Sequence, residues 1–432
     1  MTVNNDTDAP GVRGLLILSV PALGIGIGAA LVLKLLDLAS GALHDVLWTA
    51  LPAVFGVTSS TPWWVILVLT TTGAAVGLIV WLVPGHAGPD SARTEFDSPP
   101  PKLVALPSLF VVVVLSLAGG VSLGPENPVV AINAALAVAV LARFTKIPPQ
   151  LAGMLAVAGT LGALFGTPVA AALVFTGIVG AAKTGGSLWD RLFLPVAAAG
   201  AGTLTMSLLG GELLTIQVEP MGAVQPMYLL TGGLVAVAAT VLGVVMAWLF
   251  PYVHRLFHGM RNPVLYTTLG GAVLGALAII GGPLTMFKGF EETTELLQHP
   301  GAYGTGQLAA MAGIKALALL VAAGAGFRGG RIFPVVFIGA ALGLLATALI
   351  PDLPIALAVA CAVMGMTLVA SRDGWIAMFV GIAVVGDPGV LPLLCVIVLP
   401  TWLIVTKAPA LAMPPEPAPA QASASGTART AA

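Results

Sequence analysis

Two short stretches of this chain place groups that could hold an anion. They are Gly124-Pro-Glu-Asn-Pro128 and Gly330-Arg-Ile-Phe-Pro334, both of the form G-x-x-x-P. Proline is favoured at the first position of a helix, where its missing N–H would have been unpaired anyway. Pro128 and Pro334 are therefore expected to begin helices, with Gly124 and Gly330 turning the backbone that leads in. A helix start presents free N–H groups and a partial positive charge to whatever lies before it. Two such starts meeting at the membrane midplane would bind an anion stripped of its water.

Glu126, between Pro125 and Asn127, puts a carboxylate into the first junction. It could occupy the anion site itself, held by the N–H groups of its own helix, so that displacing or protonating it opens a path. The plainer reading is a carboxylate that only caps a helix end. Acids at membrane depth are rare and usually functional, which favours the gate. Arg331, Ile332 and Phe333 fill the second junction. Arg331 could attract the anion, pair with Glu126, or snorkel to an interface. A third break, Pro84-Gly-His-Ala-Gly-Pro-Asp90, offers Gly85 for a turn and His86 as a titratable donor that could line an inner vestibule.

These groups need elements that keep them at membrane depth, and the composition supplies them. Of 432 residues, 58% are apolar and only 8% charged, with a mean hydropathy of +1.03. Soluble domains carry about a quarter charged residues, so a water-soluble enzyme is excluded. A net charge of −1 leaves no basic footprint for nucleic acid. Cys361 and Cys395 lie in apolar runs and belong to no disulfide framework or metal-ligand spacing. No Ser-His-Asp set or phosphate loop points to an enzyme, and no cofactor or metal is expected.

Apolar runs at 15–36, 63–83, 103–123, 129–143, 151–179, 192–209, 228–250, 264–280, 307–325, 335–350, 355–370, 375–385 and 391–405 are expected to be helices. The first is too long for a signal-peptide core. Several are shorter than the roughly 20 residues that span about 30 Å of hydrocarbon, which points to broken and re-entrant helices. Such breaks survive at depth only where protein or a water-filled path surrounds them. The polar connectors are 85–102, 212–227, 251–263 and 288–306. Arg255 and Arg261, with no acid beside them, place 251–263 in the cytoplasm, whereas Glu291, Glu292 and Glu295 against Lys288 place 288–306 outside. His44, His254, His258 and His299 are expected to be solvated. Arg328, Lys34 and Lys315 are expected to reach an interface, and Arg372-Asp373 to form a local ion pair.

The chain also repeats itself. Pro128-Val-Val-Ala-Ile-Asn-Ala-Ala-Leu136 and Pro334-Val-Val-Phe-Ile-Gly-Ala-Ala-Leu342 share P-V-V-x-I-x-A-A-L at an offset of 206 residues. The chain then divides into a polar tail (1–12), two membrane repeats (13–211 and 212–407) and a disordered Pro/Ala-rich tail (408–432). Transporter repeats often run in opposite directions, with the substrate site where they meet.

At these junctions the chain resembles the CLC family of chloride channels and anion/proton exchangers. Gly124-Pro-Glu-Asn-Pro128 is similar to its G-x-E-x-P gating motif, and Gly326-Phe-Arg-Gly-Gly-Arg-Ile-Phe-Pro334 to its G-x-x-G-G-x-x-x-P entry. Gly85-His-Ala-Gly-Pro89 sits where the family has G-S-G-x-P, and Phe165-Gly-Thr-Pro168 where it has F-N-A-P. Within the family, the second-half string and Arg372-Asp-Gly-Trp375 most resemble a bacterial subgroup of ion-transport proteins, the YfeO type. The resemblance implies an all-α polytopic integral membrane protein of two inverted repeats. It further implies a homodimer in the cell membrane, the bacterial inner membrane, with one anion pathway per subunit gated by Glu126. Departures bear on mechanism. His86 replaces the chloride-contacting serine, and 407–411 lacks the pore tyrosine. The exchangers' acidic pair falls on Gly177-Ile178, so no inner proton acid is present there. Passive, uncoupled movement of chloride or a similar small anion is expected. The alternatives are anion/proton exchange, or a different or larger anion on the same scaffold.

Overall fold

The computed structural model describes residues 12–94, 98–144, 147–181, 188–211 and 214–414. Among these residues there is no strand, only one isolated antiparallel bridge between two loops. The first half holds α1 (Val12–Asp45), α2 (Leu51–Val54), α3 (Pro62–Leu82), α4 (Leu106–Ala118), α5 (Glu126–Phe144), α6 (Pro149–Phe165), α7 (Pro168–Ala181) and α8 (Leu188–Leu208). The second holds α9 (Met227–His258), α10 (Pro263–Gly281), α11 (Phe290–Gln298), α12 (Thr305–Gly324), α13 (Ile332–Leu349), α14 (Ile355–Ser371), α15 (Gly374–Val385) and α16 (Leu391–Lys407). Nine described segments are long and apolar enough to cross a bilayer. The protein is thus a polytopic, all-helical membrane protein. The 12 residues of α15 rise only about 18 Å and cannot cross alone.

Several boundaries differ from the sequence reading. The run at 151–179 is two helices, because α6 ends on Gly166 in the left-handed conformation and Pro168 opens α7. α1 does not stop near residue 36; it continues through Asp37, which is exposed, and on through a π-turn at Val46–Ala50 into α2. α9 runs through Pro251 to His258, so the basic connector is largely helix. The acidic connector contains α11, an amphipathic helix. Pro128 and Pro334 are third, not first, in their helices, which start at Glu126 and Ile332. First-turn N–H groups have no intrahelical acceptor, so proline is tolerated there as well.

The repeat is visible in the elements themselves. α13, α14 and α15 each begin 206 residues after α5, α6 and α7. α6 and α14 even end on left-handed residues at the same offset, Gly166 and Arg372. α1 packs on α6 and α8, as α9 packs on α14 and α16. Between the halves α3 lies along α10, at a separation that only small residues permit. A Cβ on Gly73 would fall 2.2 Å from the Thr267 carbonyl, and one on Gly271 2.1 Å from that of Leu69. Close backbone approach of this kind replaces hydrophobic drive in a bilayer. α13 and α14 are apolar all round and buried on nearly every side, so they form the centre.

The two faces can be told apart. The end of α12 packs on Val253 and His254 of α9, beside the basic connector. The start of α12 lies 20 residues away, about 30 Å along the helix, next to acidic α11. The basic face is the cytoplasmic one by the positive-inside tendency.

Candidate functional site

The two G-x-x-x-P junctions meet. The Gly124 N–H donates to the Gly330 carbonyl (2.9 Å) and the Gly330 N–H to the Gly124 carbonyl (2.6 Å). Two residues related by the 206-residue offset bond reciprocally to each other, so a local two-fold axis passes between them. The Glu126 side chain lies over this pair. A Cβ on Gly124 would sit 2.3 Å from its Oε2, and one on Gly330 1.9 Å from it. Glycine at both positions makes room for the carboxylate.

Glu126 has no exposed surface. Its Oε1 accepts the N–H of Phe333 at 2.7 Å. The backbone amides of Glu126 and Ile332 and the charge of Arg331 also act on the carboxylate. Oε2 is buried without a hydrogen-bond partner among the described residues. The expectation that its own helix would hold the acid is thus corrected in part: the principal donor belongs to the start of α13, in the other half. Two helix starts converge here, and the tethered acid sits where their free amides point.

Next to Asp90, on the basic face, lies a cavity of about 610 Å3, with Ser91, Thr94, Asn127, Pro128, Arg331 and Ile332 in its wall. Glu126 is not in that wall, although its neighbour Asn127 is, as is Ile332 next to its donor Phe333. Asn127 Nδ2 donates to the Thr94 carbonyl at 3.2 Å. Arg331 is buried, and it donates through Nη2 to the same carbonyl at 3.0 Å and through Nη1 to the Leu411 carbonyl. It does not snorkel. Residues 408–414, expected to open a disordered tail, are held against this floor: the Met413 N–H meets the Ala92 carbonyl and Arg93 meets that of Pro414. Residues 415–432 and 1–11 lie outside the described residues.

Two expected pathway residues are not brought to the site. His86 is exposed, in a left-handed conformation, and its Nδ1 is 2.8 Å from the Val80 carbonyl. Gly85 serves a turn pressed against Ala105, where a Cβ would come within 2.4 Å of the Cα. From this loop Pro89, Ser91 and Thr94 reach the cavity instead, and the Ser91 hydroxyl accepts the Gly329 N–H at 3.0 Å. A one-residue motif match could not have found it, because the loop turns between the two positions.

Two of the three basic residues expected at interfaces, Arg328 and Lys315, are instead inside, while Lys34 is half-buried. Arg328 is buried and donates to the carbonyls of Ala87 (3.2 Å) and Gly326 (3.1 Å) and to Asp90 (3.4 Å). His254 is buried too, with Nε2 3.0 Å from Asp90 Oδ2. Burial works against the Asp90 charge, but the His254 hydrogen bond, the Arg328 guanidinium and the Ala92 N–H outweigh it and hold the carboxyl well below the usual carboxylate range. Lys315 has no exposed surface; its Nζ donates to the carbonyls of Met286 and Phe287 and lies over the Phe337 ring. The Phe287 N–H in turn meets the Gly120 carbonyl, just before the first junction. Arg372 binds the carbonyls of Val405 and Ala408 while Asp373 caps α15 through the Ile376 N–H, so each serves the backbone.

Comparison with known proteins identifies the family and the fold. The model of the voltage gated chloride channel family matches residues 72–404. The chain is 44% identical over 403 residues to "Putative ion-transport protein YfeO" of Escherichia coli strains 55989 and K12 (DH10B), covering 93% of this chain and 96% of each relative. Among solved structures it is similar to a CLC-type fluoride/proton antiporter, with a TM-score of 0.73 at 19% identity over 93% of this chain and 98% of that one. A slow cyanobacterial Cl−/H+ antiporter gives a TM-score of 0.78 at 16% identity over 91% of this chain and 96% of that one. At such identities the two structures establish a shared fold of inverted, broken-helix repeats.

Proposed function

The chain belongs to the voltage gated chloride channel (CLC) family, and on that premise we propose that it moves chloride or a similar small anion across the membrane, with Glu126 as the gate. The observation that carries this reading is the seat of Glu126. A carboxylate on the Phe333 N–H, over paired glycines, where two helix starts meet, occupies the place a dehydrated anion would take. Gly124, Pro125, Asn127 and Pro128 build one side of that seat, and Gly330, Arg331, Ile332, Phe333 and Pro334 the other. The cavity below it is far larger than a fitted ion site and serves as a wet vestibule. Arg331 makes the vestibule attractive to an anion, while its hydrogen bonds to Thr94 and Leu411 keep it from following the ion.

Movement is passive in this reading. Residues 177 and 178 are Gly and Ile, so neither can pass a proton on the inner side. Protein-only liposomes with an asymmetric anion gradient test both parts. Flux of chloride that rises when Glu126 is neutralised supports the gate. A reversal potential set by the anion gradient alone supports passive movement, whereas a shift with an imposed pH gradient establishes proton exchange. Flux confined to a larger anion would move the substrate assignment and leave the gate in place.

A further inference from the structure

We propose that Asp90, His254 and His258 form a binding site for one divalent transition-metal cation of the zinc type on the cytoplasmic face. The site begins with helical spacing. His254 and His258 are four residues apart in the last turns of α9, so both imidazoles project from one side. Their rings stack with centroids 3.8 Å apart at 11°, so an ion shared by both requires one imidazole to turn until the two nitrogen lone pairs converge. Asp90 comes from the loop after α3, and its Oδ2 lies 3.0 Å from His254 Nε2 and 3.6 Å from His258 Nε2. One ligand atom from each residue falls within 4.8 Å of the other two. Tetrahedral zinc, with bonds of about 2.0–2.1 Å, separates neighbouring ligand atoms by about 3.3–3.4 Å. The two carboxylate–imidazole spacings bracket that value.

Hydrogen bonding explains why a cation is wanted. His258 Nδ1 lies 3.1 Å from the His254 carbonyl. A carbonyl only accepts, so Nδ1 carries a proton, and the neutral form of the ring then presents its lone pair at Nε2. In that form Nε2 faces Asp90 Oδ2 at 3.6 Å, and the two acceptors have only the His254 proton beside them. A metal ion satisfies both together with His254. Donation from the other ring nitrogen to a backbone carbonyl is also how metal-binding histidines are commonly oriented. The second carboxylate oxygen is already engaged, with the Ala92 N–H at 3.0 Å and Arg328 at 3.4 Å. Oδ2 takes the His254 Nε2 proton in this structure, and the cation would replace that proton between the two atoms, with the positive Arg328 on the far side of the carboxylate.

Two imidazoles and one carboxylate suit zinc and its neighbours better than calcium or magnesium, which prefer all-oxygen shells. Three protein ligands leave a fourth position for water. Ions can enter, because the side chains of His258 and Asp90 are 30% and 17% exposed. Asp90 lies between Pro89 and Ser91, both in the vestibule wall, so a bound ion would pin that wall to α9.

The test is zinc titration by calorimetry on tag-free, full-length protein in detergent after chelator treatment, with cobalt absorption to report tetrahedral coordination. One zinc per chain is expected. Binding should weaken by about tenfold or more in His258→Gln and in Asp90→Asn, and stay unchanged in His299→Gln. Asp90→Asn could disturb folding through Arg328, whereas His258→Gln leaves the Asp90–His254 and Asp90–Arg328 contacts in place. Zinc should also raise the melting temperature of the wild type and not that of His258→Gln. No zinc binding by the wild type, or equal binding by His258→Gln, would overturn the site and leave a hydrogen-bonded strut. Neither readout depends on anion flux, so the outcome is independent of the transport assignment.

Discussion

Neutralising Glu126 perturbs the proposed gate most directly, and the structure sets the size of the effect. The contact an incoming anion would have to take over is the charge-assisted hydrogen bond of 2.7 Å from the Phe333 N–H to the carboxylate. Such bonds contribute about 1.5–3 kcal/mol. An anion seeking the same N–H has to displace the carboxylate against that energy. At 1.4 kcal/mol per tenfold, removing the competitor should tighten anion binding by about tenfold to a hundredfold. Glu126→Ala vacates the seat and should show the full effect. Glu126→Gln keeps a carbonyl acceptor there, and neutral hydrogen bonds contribute only about 0.5–1.5 kcal/mol, so it should fall between the alanine variant and the wild type. Protonation of the wild-type acid acts like the glutamine change: flux should rise as pH falls in the wild type and stay level in both variants. The assay is anion efflux from proteoliposomes over a pH series, with calorimetric chloride titration of each protein. If Glu126 only caps the start of α13, both substitutions should cost about 1 kcal/mol of stability and leave transport untouched. Equal pH dependence in wild type and Glu126→Gln would refute the gate.

Other perturbations read the same geometry. Gly330→Ala would bring a methyl to 1.9 Å from Glu126 Oε2 and must push the carboxylate out of its seat. Efflux should rise as it does in Glu126→Ala, and the double variant should add nothing further; additive effects would place the two residues in separate roles. Lys315→Met leaves the Met286 and Phe287 carbonyls without their buried donor, a cost on the order of 1–3 kcal/mol. The melting temperature in detergent should fall accordingly, and an unchanged value would mean that Lys315 does not brace that turn. The family assignment leads us to propose a homodimer with one pathway per subunit. Light scattering should give twice the chain mass of 43.4 kDa, and monomer at every concentration would count against it.

Much of the fold was legible from local signals. Apolar runs, their Gly and Pro interruptions and the scarcity of charge identify a polytopic membrane protein with broken helices, because a bilayer forces backbone groups to pair within the segment. The 206-residue offset was readable from P-V-V-x-I-x-A-A-L, and helix starts at 126 and 332, 149 and 355, and 168 and 374 keep it. Glu126 stood out as an acid inside an apolar junction. Partners were not readable. The donor to Glu126 is Phe333, 207 residues away, and His254 meets Asp90 across 164. Nothing local distinguishes a lysine that reaches an interface from Lys315, which is buried on two carbonyls, or a solvated histidine from His254. The turn that sends His86 outward and Ser91 inward is likewise a matter of backbone angles at 86 and 87. Spacing and composition determine which segments enter the membrane and where they break. Which amide meets which carboxylate is decided only when the two halves dock, because that choice depends on the relative placement of helices far apart in the chain.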